Sequence, residues 1–268
     1  LAIDDAYRSW HRKRFGVDAN PDTHCVPVER AFQGHPEAGA LWERMIVGIL
    51  EGDELGFVST THERNLYRGT IDGALVLVCR QVDDFAIATA SPDTAEKLIA
   101  IINKHATTTS KGIGVKDEQG IGLRYNGIDI HQTRDYTKLS CETYIERVLQ
   151  THGWEKPTAN ESDRFDAVPL PVDSVETLLK ETGPSEGSKE HRELEEKVGF
   201  GYRTLLGELM YAFVVCRLDI GFAVTLLARF STCPSRSHYM ALKSVTRYLR
   251  RTKDWGLIYW RQAPIDLL

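Results

Sequence analysis

Ala74-Leu75-Val76-Leu77-Val78-Cys79-Arg80-Gln81-Val82-Asp83-Asp84-Phe85-Ala86-Ile87-Ala88-Thr89 is the stretch that decides how this chain is read. Two apolar runs flank a pair of adjacent carboxylates, Asp83 and Asp84, at the tip between two predicted strands. Neighbouring carboxylates repel each other and are costly to hold beside apolar strands unless a cation compensates them. A hairpin tip can offer such a pair to a divalent ion, since Mg²⁺ takes one or two carboxylates plus waters and substrate phosphates. The same residues also suit an ordinary turn, because Asp side chains bond nearby backbone. The segments on either side decide between the two readings.

Upstream, Asp72-Gly73 is a hairpin signal, preceded by short predicted strands at Phe57 to Thr60 and Leu66 to Arg68. Ala38, Leu41, Trp42, Met45, Ile46 and Ile49 recur at helical spacing between Pro36 and Leu50. Cys25 to Val28 is a short edge strand, because Pro27 cannot donate to a ladder. The first residues read as a helix lacking an N-cap, with Tyr7 and Trp10 on one face and His11-Arg12-Lys13-Arg14 before Gly16. Asn20-Pro21-Asp22 signals a turn.

Downstream, Ser91-Pro92 opens a helix with Ala95, Leu98, Ile99 and Ile102 inward. Gly120 to Ile130 reads as one strand, and Thr143 to Thr151 as a helix. Glu155 to Lys197 is acidic and carries Pro157, Pro169, Pro171 and Pro184, so it reads as a long mobile connection too polar for a core. Three amphipathic helices follow, about Tyr202 to Cys216, Asp219 to Phe230 and Ser237 to Arg251, then a strand from Gly256 to Trp260. Strand, hairpin and helix alternate, which makes the fold class α+β.

Composition is that of a globular protein: 268 residues, 42% hydrophobic and 26% charged, enough for one large domain or two small ones. No apolar run has membrane-spanning length and no signal peptide is visible, so no membrane partner is expected. Five cysteines, Cys25, Cys79, Cys141, Cys216 and Cys233, have no metal-ligand spacing and read as reduced, buried thiols of an intracellular protein. The net charge of −5 argues neither for nor against nucleic acid, because the charges segregate. Arg236, Lys243, Arg247 and Arg250 fall along one face of the last predicted helix, a pattern suited to phosphate contacts or to a solvated surface.

About fifty residues before the Asp pair stands Phe32-Gln33-Gly34-His35-Pro36, opening the helix that carries Trp42. A Gly before a helix N-terminus lets a ligand approach backbone N–H groups, and that terminus favours phosphates. Ala31-Phe32-Gln33-Gly34-His35-Pro36 through Trp42, taken with Gln81-Val82-Asp83-Asp84, resembles the reverse transcriptases of copia-type LTR retrotransposons. Tyr125-Asn126-Gly127-Ile128-Asp129-Ile130 is similar to that family's primer-grip segment, and Lys138-Leu139-Ser140 through Tyr144-Ile145 to the start of its thumb. Tyr202 to Tyr211, Arg217-Leu218-Asp219-Ile220-Gly221-Phe222-Ala223, His238 to Lys243, Arg247-Tyr248-Leu249 and Gly256-Leu257-Ile258-Tyr259 follow in the family's order. The resemblance covers nearly everything from Val26 onward. Gln81 stands where the family usually has Tyr, and Leu218 where it usually has Pro.

The resemblance implies an RNA-directed DNA polymerase belonging to a Pol polyprotein, with template RNA, DNA primer and dNTPs as partners, next to integrase and RNase H regions. It implies a palm with an antiparallel sheet and packed helices, followed by a helical thumb and connection. Residues 1–135 would be partial fingers and palm, 136–198 a thumb-like helix with an acidic linker, and 199–268 the connection. Asp83 and Asp84 would be the catalytic, metal-holding carboxylates for Mg²⁺, or Mn²⁺, with Asp83 the direct ligand. Gln33 and Gly34 would border the dNTP, Tyr125, Asn126 and Gly127 would grip the primer, and Lys111 or Lys116 would protonate pyrophosphate. The family's first metal-binding Asp belongs in an apolar strand upstream of Gln33, which Asp4-Asp5 does not match. The expectation is therefore an incomplete enzyme, a fragment located inside the cell in a cytoplasmic virus-like particle with access to the nucleus. A non-catalytic remnant that binds nucleic acid or a partner is the competing reading, and an unrelated Mg²⁺ phosphohydrolase is a third.

Overall fold

The computed structural model describes residues 4–24, 34–112, 120–157 and 168–262. The fold is α+β, with two four-stranded antiparallel sheets and nine α-helices among the described residues. It divides into two compact units, 1–79 with 87–108, and 80–86 with 109–268. No helix among the described residues is long and apolar enough to cross a membrane.

The first unit opens with α1 (Asp5–Phe15). Contrary to the sequence expectation this helix is capped: the Asp4 carboxylate accepts from the Tyr7 N–H at 2.7 Å, and Gly16 closes it in the left-handed region. The predicted strand at Cys25 to Val28 lies outside the described residues. After α2 (Ala38–Glu51) come β1 (Val58–Ser59), β2 (Leu66–Ile71), β3 (Ala74–Gln81) and β4 (Asp84–Thr89), hydrogen-bonded in that order, the hairpin tip at 80–86 being part of the second unit. Strand alternation sends Val76 and Val78 inward with Tyr67, and leaves Leu75 and Leu77 exposed. A Cβ at Gly69 would stand 1.9 Å from the Phe57 ring, so the missing side chain makes the room that buries Phe57. Helix α3 (Pro92–Asn103) packs on β2 through Ala95, Leu98 and Ile102.

The second unit holds β5 (Ile121–Tyr125), β6 (Ile128–Gln132), β7 (Tyr136–Ser140) and β8 (Gly256–Trp260) in one sheet, in that order. Gly120 to Ile130 is thus not one strand but a hairpin. Asn126 (φ 48°) and Gly127 (φ 78°) form its two-residue turn, the left-handed pair that Asn-Gly favours. The sheet joins strands from all three segments of the sequence-based division. Helices α4 (Glu142–His152), α5 (Val172–Lys180), α6 (Lys189–Val198), α7 (Tyr202–Val215), α8 (Gly221–Ala228) and α9 (Arg236–Arg251) supply the main core.

Helices α5 and α6 correct the reading of Glu155 to Lys197 as a linker. Sparse apolar side chains at helical spacing, Val175 with Leu178 and Leu194 with Val198, reach the core although the average residue there is polar. Helix α9 is central and packs against α4, α6, α7 and α8. The four described cysteines, Cys79, Cys141, Cys216 and Cys233, are free thiols.

Arg217, fully buried, locks this unit. Its guanidinium donates to both Asp219 carboxylate oxygens (2.9 and 2.7 Å), to the Thr252 carbonyl (2.8 Å) and to the Thr252 hydroxyl (2.6 Å). The Tyr248 ring lies 5.6 Å from the guanidinium carbon, and the Tyr248 hydroxyl donates to Asp219 at 2.8 Å. Burial pushes the Asp219 carboxyl up, but the bonds from Arg217 and Tyr248 outweigh it and hold the group below the usual carboxylate range. A carboxyl held low in the folded state favours folding above its unfolded pKa and loses that contribution as pH falls toward the folded value.

Replacing Arg217 with Ala strands a half-buried carboxylate. The expected cost is about 3 kcal/mol, the low end for a broken buried pair because Asp219 keeps 32% of its side chain exposed. Urea melts should also show the Arg217→Ala variant losing less stability than the parent on acidification below about pH 4. A stability change under ~1 kcal/mol would contradict this role for Arg217.

Candidate metal and nucleic-acid site

The tip of the β3–β4 hairpin is Val82-Asp83, and Asp84 is the first residue of β4. All three are exposed. The two-residue hairpin turns among the described residues each begin on a residue of positive φ: Asp72 at 51°, Asn126 at 48° and Val82 at 52°. Asp and Asn tolerate that region and are followed here by Gly. Val82 is β-branched and is followed by Asp83, so this turn alone carries backbone strain. The Lys111 ammonium stands 3.7 Å from the Asp84 carboxylate. Both side chains are more than half exposed, so the pair contributes little to stability and Asp84 stays available to another cation. Among the described residues no third His, Cys, Asp or Glu joins Asp83 and Asp84 in a metal-binding group.

Of the predicted nucleotide-binding pair, Gln33 lies outside the described residues, as does Lys116. Gly34 is described: it is exposed, left-handed at φ 90°, and among the described residues nothing would lie within 4 Å of a Cβ there. It precedes α2, whose N-terminus has no side-chain cap. No described residue closes the approach to Gly34, as a bound phosphate would need.

Tyr125, Asn126 and Gly127 are gathered at the β5–β6 turn. The Tyr211 hydroxyl on α7 donates to the Asn126 carbonyl at 3.3 Å and would meet a Cβ on Gly127 at 2.6 Å. Tyr211 also packs on the Tyr144 ring, 4.5 Å between centroids, and the Tyr144 hydroxyl donates to the Glu208 carbonyl at 3.1 Å. Burial, then the charge of Glu208, pushes the Tyr144 phenol up to about 12, so it remains a donor at neutral pH. The turn is therefore seated on α7 by Tyr211, which packs on Tyr144 of α4; both tyrosines lie in motifs quoted from the sequence, but nothing in those motifs names their partners.

The basic residues separate. Arg236 is exposed in the first turn of α9, whereas Lys243, Arg247 and Arg250 are partly buried. These three line a small cavity with Trp154 and Lys156, residues that sequence reading passed over.

No protein-family model and no solved structure matches the chain. Among curated proteins, it is 26% identical over 256 residues to a Ty5-1 transposon protein of Saccharomyces cerevisiae, covering 94% of this chain and 73% of that protein. It is 32% identical over 170 residues to the retrovirus-related Pol polyprotein of transposon TNT 1-94 from Nicotiana tabacum, covering 62% of this chain. To the Pol polyprotein of transposon RE1 from Arabidopsis thaliana it is 24% identical over 266 residues, 98% of this chain. The chain is a relative of the retrotransposon Pol polyproteins. It spans 12% and 16% of the length of those two polyproteins, so their whole range of activities is not carried over to it.

The strain at Val82 is testable without assuming a function. Asn tolerates positive φ, and Val82 buries little, so Val82→Asn should stabilise the chain by about 1 kcal/mol. Urea denaturation measures it; a destabilised variant would show that Val82 is not under backbone strain.

Proposed function

We propose that the chain is the reverse-transcriptase region of a retrotransposon Pol polyprotein, an RNA-directed DNA polymerase acting on template RNA, DNA primer and dNTPs. One observation carries the reading: two adjacent, exposed carboxylates stand at the tip of a strained hairpin in a chain related to Pol. In this reading β1–β4 with α3 are palm elements, and the helices beyond β7 form thumb and connection, with working divisions near 135 and 198.

The donor set fits Mg²⁺, or Mn²⁺, in one particular way. Two carboxylates without a third partner among the described residues suit an ion that completes its shell with waters and substrate phosphates, not a closed protein cage. Such an ion would lower the charge barrier to phosphoryl transfer and activate the primer hydroxyl. Asp83 would be the direct ligand and Asp84 the supporting one, with Lys111 near enough to Asp84 to balance its charge when no metal is held. Gln33 and Gly34 would border the incoming nucleotide beside the α2 N-terminus. Tyr125, Asn126 and Gly127, braced by Tyr211, would position the primer backbone. Catalysis of this kind depends on positioning, so a well-seated turn matters as much as a charged group.

That no third acidic residue joins the pair among the described residues also favours a second reading, a non-catalytic relative that binds nucleic acid without extending it. Primer extension on an RNA template with Mg²⁺ and dNTPs decides between them. The polymerase reading expects extension that falls by at least about a hundredfold in Asp83→Asn, as the charge stabilisation of the held ion is lost. Template–primer binding without extension, by a folded chain, would support the second reading.

A further inference from the structure

Two thiols that the proposed function does not use meet in the core of the second unit. Cys141 is the N-cap residue of α4 and Cys216 the C-cap residue of α7, and both are buried. The two helices run past each other in opposite directions. His152 pairs with the Glu208 carboxylate at 2.7 Å, and Tyr144 packs on Tyr211 at 4.5 Å between ring centres. Residues three apart share a helix face, so the same register carries Cys141, one turn before Tyr144, to the end of α7. There its thiol is hydrogen-bonded to the Cys216 sulfur.

The pair is unequal. The bond from Cys141, reinforced by the Arg217 charge next to it, outweighs burial and holds the Cys216 thiol below its ordinary value. The same bond, together with burial, pushes the Cys141 thiol well up. The thiolate is the nucleophile in sulfur chemistry, so Cys216 is the member that reacts first and Cys141 the one that waits beside it. Burial slows an oxidant but does not bar a small one. Val214 and Leu218, on either side of Cys216, are 70% and 61% exposed, so this stretch of chain runs at the surface. Helix ends of that kind open locally at a fraction of the cost of unfolding.

We propose that Cys141 and Cys216 are a redox pair that a hydroperoxide converts to an intramolecular disulfide. The Cys216 sulfur attacks one peroxide oxygen and the O–O bond breaks. With hydrogen peroxide, the departing hydroxide leaves as water with the thiol proton, and Cys216 becomes a sulfenic acid. The Cys141 sulfur then attacks the Cys216 sulfur, the S–O bond breaks, and a second water leaves with the Cys141 proton. Two thiols lose two electrons in all, and one peroxide is reduced to two waters. The link ties the start of α4 to the end of α7, the helix that carries Tyr211 to the Asn126-Gly127 turn. It needs no nucleotide, metal or nucleic acid, so it stands apart from the polymerase reading.

The test exposes the full reduced chain to a small excess of hydrogen peroxide in native buffer, alkylates the remaining thiols in denaturant and maps the peptides by mass spectrometry. The parent is expected to yield a linked Cys141–Cys216 peptide, lighter by two hydrogens than the separate peptides together and returned to them by dithiothreitol. Closing the long loop between the two cysteines should raise the urea midpoint by about 1 M. In Cys141→Ser, Cys216 should stop at the sulfenic acid, which dimedone captures. In Cys216→Ser, the Cys141 thiol should stay reduced. Cys79→Ser/Cys233→Ser should form the link as the parent does. Peroxide that oxidises other cysteines of the folded parent while Cys141 and Cys216 remain open to alkylation overturns the pair. A linked peptide that forms only in urea overturns it as well. Both of those results are read on the parent chain, so they hold whether or not a variant folds.

Discussion

Arg217 has no exposed surface, and burying a guanidinium costs several kcal/mol unless its charge and donors are met. Asp219, Thr252 and Tyr248 meet them, which ties the end of α7, the short 3-10 helix Leu218–Ile220 and the end of α9 to one another. Two consequences follow along the chain. Thr252 leads into β8, which pairs with β7 and so closes the sheet that carries the Asn126-Gly127 turn. Helix α7 presents Tyr211 to the same turn. The buried ion pair therefore fixes both supports of the turn as well as the helix bearing Lys243, Arg247 and Arg250.

Hairpins with strong local signals were readable without coordinates. Asp72-Gly73 and the apolar runs around Asp83-Asp84 specify their strands through turn chemistry and period alone. Asn126-Gly127 is the same signal, but it is embedded in a run that looks like one strand of mixed polarity. Strand β7 was missed because Tyr136, Thr137, Lys138 and Leu139 are each partly buried, so no inside–outside alternation marks them. Helices α5 and α6 were hidden by acidic composition, since a helix needs only a few inward side chains to join a core. The Asp4 cap was passed over because an Asp before a helix looks the same as an Asp within a charged run.

The site divides along a similar line. Asp83, Asp84 and the Asn126-Gly127 turn are local features and could be named from the chain. The brace from Tyr211 and the anchoring of Trp154 by Arg250 join residues 85 and 96 positions apart, which no motif reports. Strain at Val82 is also invisible in composition, because Val is an ordinary strand residue until its φ is known. In the proposed polymerase a strained, exposed carboxylate pair would serve charge and a seated turn would serve position, both of which phosphoryl transfer needs.

The central claim is that Asp83 and Asp84 form a divalent-cation site. The most direct measurement is paramagnetic broadening of backbone amide signals as Mn²⁺ is titrated into the isotope-labelled chain, with Mg²⁺ as competitor. The account predicts early, localised broadening at Val82, Asp83 and Asp84, reversed by Mg²⁺ and absent in Asp83→Asn. Broadening confined to the other acidic stretches of the chain, with the hairpin signals unaffected, would contradict it.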